Sequence, residues 1–100
     1  MDQNFINLAK KTLEDIFENI EKKYDHFDVD FEEENLKIES GTNIFILSIH
    51  NPSSQIWLSS PISGAHHFQF NDSNHEWTST RDKSIKLFEV LEKDLQSIKI

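Results

Sequence analysis

Seven positions near the start of the chain, Phe5, Ala9, Thr12, Leu13, Ile16, Ile20 and Tyr24, fall on one stripe of helical spacing. That is the period of an amphipathic helix, which we expect over roughly residues 4 to 24 with Asp2 or Asn4 as its N-cap. The period then falls to two. Phe27-Asp28-Val29-Asp30-Phe31-Glu32 alternates strictly, setting three apolar residues inward and three carboxylates outward, as a half-buried strand does. Glu33-Glu34-Asn35 reads as a turn and Leu36-Lys37-Ile38-Glu39 as the return strand. Ser40-Gly41-Thr42-Asn43 turns again into a strand from Ile44 to His50, which Asn51-Pro52-Ser53-Ser54 breaks. Further strands are predicted at Gln55 to Ser60, Ala65 to Phe70 and His75 to Thr80. Ile85, Phe88, Leu91, Glu92 and Leu95 restore the helical period, with Leu87, Val90 and Ile98 widening the stripe and Asp82 as candidate cap. The order predicts an α+β two-layer sandwich, with N- and C-terminal helices packed on one face of an antiparallel sheet of about six strands.

The same alternation assigns faces. Ile56 and Leu58 belong to the core, which leaves Gln55, Trp57 and Ser59 on the open side of the sheet. Phe68 and Phe70 facing inward put His67 and Gln69 on the Trp57 side. A tryptophan on a solvated sheet face either anchors a protein partner or packs on its neighbours there. Trp77, alternating with Glu76 and Thr78, is expected in the core.

Charge changes the picture more than composition does. The formal net charge is −8, and all of it lies between Glu14 and Glu34, where ten carboxylates face only Lys22 and Lys23. On a helical wheel Glu14, Glu18, Glu21 and Asp25 fall within an arc of about 60° opposite the apolar stripe, provided the helix reaches Asp25. With Asp28, Asp30 and Glu32 on the adjoining strand they define an acidic face for cations or a basic partner. Strand neighbours two apart and helix neighbours four apart stand about 6 to 7 Å from one another, too wide to close several side chains around one ion. Such a surface suits hard, oxygen-seeking cations that keep part of their water shell, including Fe²⁺ and Fe³⁺, bound weakly and in several places. The plain alternative is a solvated acidic face with no ligand.

One hundred residues are expected to form a single domain, residues 1–100. There is no cysteine, hence no disulfide, thiolate metal site or cysteine nucleophile. The longest apolar run, Ile44-Phe45-Ile46-Leu47, is far short of the roughly 20 residues that span a bilayer. Met1-Asp2-Gln3-Asn4 resembles neither a transit peptide nor a signal region, so a cytoplasmic location is expected, with no membrane association. A pI of about 4.9 argues against nucleic acid as a partner. No phosphate loop, metalloprotease histidine pair or nucleophile motif is present. His66 and His67, adjacent on a strand, point to opposite faces. His26, His50 and His75 lack a helical partner; of these, His26 lies near enough to the acids to join a metal site.

The run Asn51-Pro52-Ser53-Ser54-Gln55-Ile56-Trp57-Leu58-Ser59-Ser60-Pro61-Ile62-Ser63-Gly64 closely resembles the signature of the frataxin family, and with no targeting segment recognised the chain looks like a member of its bacterial CyaY-like branch, a mature organellar form being the alternative. The similarity extends over nearly the whole chain, through the Leu8-Ala9 helix, Asp28-Val29-Asp30-Phe31, Phe68, Phe70, Trp77 and Asp82. The resemblance implies the sandwich expected above and a role in iron–sulfur cluster assembly, as iron chaperone, as regulator of the cysteine desulfurase–scaffold complex, or as both. It implies weakly surface-bound iron with no organic cofactor, on a ridge of Glu14, Glu18, Glu21, Asp25, Asp28, Asp30 and Glu32. It implies a partner face at Gln55 and Trp57, to which their open-side neighbours Ser59 and His67 belong, and a monomer when iron is absent. The chain departs from the family pattern at Ser53, at His67 and at Lys22 and Lys23. The family's C-terminal extension, which covers the gap between the helices, is nearly missing, so modest stability is expected. Two rival functions remain: a ferroxidase or iron-storage activity, and an acidic interaction module with incidental iron. The iron-binding regulator or chaperone is favoured over both; against the ferroxidase, dedicated ones use Glu-x-x-His pairs inside helical bundles and no such pair occurs here.

Overall fold

The computed structural model describes residues 3–98. Among these, two helices bracket six strands: α1 (Gln3–Lys23), β1 (Asp28–Glu32), β2 (Asn35–Ser40), β3 (Asn43–His50), β4 (Gln55–Ser60), β5 (Gly64–Asn71), β6 (Glu76–Ser79) and α2 (Leu87–Gln96). A short 3-10 turn at Asn51–Ser53 follows β3. Each strand pairs antiparallel with the next, giving one sheet in the order β1-β2-β3-β4-β5-β6. Helix α1 lies against β1 and β3, and α2 against β6, so the α+β sandwich is the one expected.

The layers meet through the inward residues that the alternation singled out. Leu36 and Ile38 of β2, Phe45 and Leu47 of β3, Ile56 and Leu58 of β4 and Phe68 of β5 are buried beneath Ala9, Leu13, Ile16 and Ile20 of α1 and Leu87, Leu91 and Leu95 of α2. Removing these side chains from water, at about 25 cal/mol per Å² of apolar surface, is the main force holding the layers together. Trp77 is buried as expected and packs edge-on against Phe5 and Phe70.

One buried carboxylate is pinned rather than paired. Asp94 of α2 is 4% exposed and accepts hydrogen bonds from Ser60 Oγ at 2.7 Å and from Ser63 Oγ. Ser60 Oγ in turn accepts the backbone N–H groups of Ile62 and Ser63, so α2 holds the β4–β5 turn in shape. Gly64 ends that turn at φ +92°, a conformation side chains rarely adopt, although the space beside it is open.

Four local expectations need correction. Helix α1 stops at Lys23, so Asp25 does not continue the helical acidic arc; it stands fully exposed in the bend before β1. Asp82 does not cap α2, whose N-cap is Lys86 without a side-chain bond. Asp82 instead accepts the backbone N–H and hydroxyl of Ser84, closing a turn ahead of the helix. Phe88 is 50% exposed, and Leu87 beside it takes the core position. Asn4 lies inside the first turn of α1 rather than at its cap, and Asp2 lies outside the described residues.

Candidate functional site

The acidic residues occupy both layers along one edge. β1 is the edge strand, and its outward positions Asp28, Asp30 and Glu32 are exposed on the open side of the sheet. On the inward side Phe31 meets Phe17 of α1, ring centroids 6.5 Å apart, which docks the helix over the edge strand. Glu14 and Glu21 are the i−3 and i+4 neighbours of Phe17, and Glu18 follows it. All three, exposed, therefore belong to the flank of α1 that borders β1. Asp25 sits in the bend that joins the two rows.

Neighbouring cations leave most of this edge unneutralised. Lys11 pairs with Asp15 at 2.8 Å, and its ammonium is held above the usual lysine range by that hydrogen bond first, with Glu14 and Glu18 adding to it. Lys23 turns away from the ridge and pairs with Glu92 of α2, a hydrogen bond that likewise raises its pKa. Tyr24 reaches the same Glu92 at 3.3 Å, so the end of α1 is clasped to α2. Asp28 stands directly opposite Glu39 and Asp30 opposite Lys37. His26 packs on Phe27 and Tyr24 with its Nε2 buried and without a partner, while its Nδ1 lies 3.8 Å from Asp25 Oδ1, near the acids as expected. Among the described residues no three His, Asp or Glu side chains gather closely enough to hold an ion. The arrangement is an open array of carboxylates, which attracts cations through its summed field and exchanges them with water.

The second candidate face lies mid-sheet. Gln55, Trp57 and Ser59 occupy the open side of β4, and register places His67 of β5 opposite Trp57. The indole is stacked between two imidazoles. His67 lies at 4.2 Å and His50 of β3 at 3.9 Å, both within 12° of parallel. Trp57 donates its N–H to Gln55 Oε1 at 2.7 Å, and His50 Nδ1 sits 2.6 Å from Ser53 Oγ. Trp57 thus packs on its neighbours, as one of the two readings expects, while standing half-buried on the open face of the sheet.

Sequence reasoning missed three contributors to this face: His50, Ile44 and Ile46. The contact of His50 with Trp57 depends on cross-strand register, which the residue's own neighbours in sequence do not give. Ile46, 40% exposed, lines a cleft with Trp57, and Ile44, 39% exposed, lies two positions further along β3. Their signal was available, because four consecutive apolar residues in a strand must put two on each face.

An antiparallel sandwich with an acidic edge and an aromatic open face defines a frataxin-like α+β domain. The chain belongs to the frataxin family, whose Frataxin-like domain model matches residues 1–99. It is 31% identical to the mitochondrial frataxin of Arabidopsis thaliana, an alignment covering 97% of this chain and 54% of that protein. It therefore spans about half the length of that relative. The fold superimposes on frataxin from Psychromonas ingrahamii with a TM-score of 0.83 at 24% identity, over 94% of this chain and 87% of that one. It also matches trimeric frataxin from Saccharomyces cerevisiae complexed with ferrous, with a TM-score of 0.73 at 24% identity, over 97% and 86% of the two chains. Among the described residues no helix is long and apolar enough to cross a membrane.

Proposed function

We propose that this protein binds iron as cargo on its acidic edge and acts in iron–sulfur cluster assembly, as iron chaperone, as regulator of a cysteine desulfurase–scaffold complex, or as both. The observation that carries the reading is the convergence of Glu14, Glu18 and Glu21 on the β1 flank of α1 with Asp28, Asp30 and Glu32 on the edge strand itself. Family membership and the yeast frataxin complexed with ferrous support it. The open array suits a carrier better than a catalyst: carboxylates hold Fe²⁺ or Fe³⁺ weakly enough to release it, and no enclosed di-iron pair is built from the described residues. We place the protein in the cytoplasm, monomeric without iron, with Gln55, Trp57, Ser59 and His67 meeting the assembly partners.

Anaerobic Fe²⁺ titration followed by NMR tests the cargo role. Selective broadening of Glu18, Glu21 and Asp30 signals is expected; signals that stay sharp favour the second reading, in which the acidic edge docks on a basic protein. That reading draws on the absence of a three-ligand cluster among the described residues. Oxygen consumption no faster than iron in buffer is expected, and sustained turnover above it would instead assign a ferroxidase. Trp57→Ala should abolish capture of the desulfurase–scaffold complex while the fold persists.

A further inference from the structure

Trp57 does not offer its ring faces to a partner. His50 from one flanking strand and His67 from the other cover them, and the indole N–H is committed to Gln55. What faces outward is the edge of three stacked rings. With His50 Nδ1 bound to Ser53, Nε2 is its remaining nitrogen, and the His67 ring nitrogens have no hydrogen-bond partner among the described residues. Beside the stack lies a cleft of about 200 Å³ between Ile46, Ser48, Ala65 and His67. His67 also lines a second cavity, of about 430 Å³, together with His66 and Arg81.

No carboxylate lines either cavity, in a chain with 18 acids against 10 lysines and arginines. The acids nearest in the fold are already engaged. Glu34 accepts the Asn51 side-chain N–H groups at 3.2 and 3.3 Å, Glu39 lies 3.6 Å from Lys37, and Asp94 is buried behind Ser63. From β6, Thr78 adds no charge beside Gln69, Glu76 lies 3.0 Å from Lys86, and Asp82, next to Arg81, accepts the backbone N–H and hydroxyl of Ser84. Neither cavity beside the stack therefore presents a carboxylate, while Arg81, His66 and His67 line the larger one.

We propose that the Trp57 face docks an extended acidic segment of a partner protein, whose apolar side chain enters the cleft and whose carboxylates meet Arg81 and the imidazoles of His67 and His50. This rests on the reading of Trp57 as the partner face and adds the chemistry of what binds there. Arg81 offers a guanidinium fork that fits a carboxylate, imidazole is the side chain whose charge responds to pH near neutrality, and an imidazolium also stacks more strongly on indole. Affinity for the segment therefore rises as pH falls.

The test is calorimetric titration of the full chain with acetyl-Glu-Leu-Asp-Leu-Glu-amide and with its Gln/Asn counterpart. At pH 6 the acidic peptide is expected to bind about tenfold more tightly than the amide one, as one or two charge-assisted contacts would give, with the gap narrowing at pH 8. Joint His50→Gln and His67→Gln replacement should remove the pH dependence, and Arg81→Gln should weaken the acidic peptide at both pH values. Equal affinities at pH 6, binding of neither peptide, or a pH dependence that survives loss of both histidines would overturn the proposal. A desulfurase–scaffold capture that needs Trp57 but ignores competing acidic peptide defeats this inference alone. A capture indifferent to Trp57→Ala defeats the underlying reading.

Discussion

Trp77 donates its indole N–H to the hydroxyl of Thr12 at 3.0 Å, and that hydroxyl donates in turn to the Leu8 carbonyl at 2.8 Å. One buried chain of hydrogen bonds therefore joins the last strand to the first helix across 65 residues of sequence. Thr12→Val keeps the shape but leaves the indole N–H without an acceptor, at a cost of about 1–3 kcal/mol. Thr12→Ser keeps the acceptor and should cost less. Urea unfolding of the two variants checks this: a valine variant no weaker than the serine one would show that the bond contributes little.

The helical and alternating patterns located the elements within a residue or two because burial imposes those periods directly. Relations between elements were harder to read. Phe88 and Leu87 are both apolar and adjacent, and only the angle at which α2 crosses the sheet decides which faces the core. Asp82 has the composition of a cap, but the bridge that pairs Lys86 with Thr78 delays the helix start beyond its reach. The acids of the ridge were legible as a charge run, while their sharing of an edge followed from Phe17 packing on Phe31. The stack around Trp57 needed three strands in register, which no single segment encodes.

Asp28 faces Glu39 across the β1–β2 ladder, a like-charge pair on the open side. Directly opposed like charges destabilise a sheet by about 0.2–1 kcal/mol. Asp28→Asn should therefore raise stability by about that amount at low ionic strength, with the gain shrinking above about 0.5 M salt. If the edge carries iron, the same substitution lowers Fe²⁺ uptake, so that stability and loading move in opposite directions. Urea midpoints at two salt concentrations, with iron binding measured on the same samples, decide it.

The Asp82 turn should respond to acid with a defined sign. Hydrogen bonds from the Ser84 hydroxyl and then its backbone N–H hold the Asp82 carboxyl below the usual aspartate range. A depressed carboxyl contributes stability that is fully present above its unfolded pKa and is lost as pH falls through the folded one. The melting-temperature difference between the native chain and Asp82→Ala should accordingly be larger near about pH 7 than near about pH 3. A difference that stays constant over that range would mean the carboxylate does not stabilise the turn through its charge.

Between α1 and α2 runs a groove of about 540 Å³, floored by Ile16, Ile20, Leu91 and Leu95 and bordered by Phe88. Phe88 is half exposed, so deleting its ring returns little new apolar surface to water, whereas Leu91, 4% exposed, is enclosed by the core. Phe88→Ala is expected to cost about 1 kcal/mol or less and Leu91→Ala about 2–5 kcal/mol, the second including the cavity it leaves. The two positions are close in sequence and both apolar, which makes the ratio of their effects a direct measure of how α2 sits on the sheet. Unfolding curves in urea give both numbers. Comparable losses at the two sites would mean that the ring of Phe88 folds down into the groove in solution and that the inter-helix channel is closed.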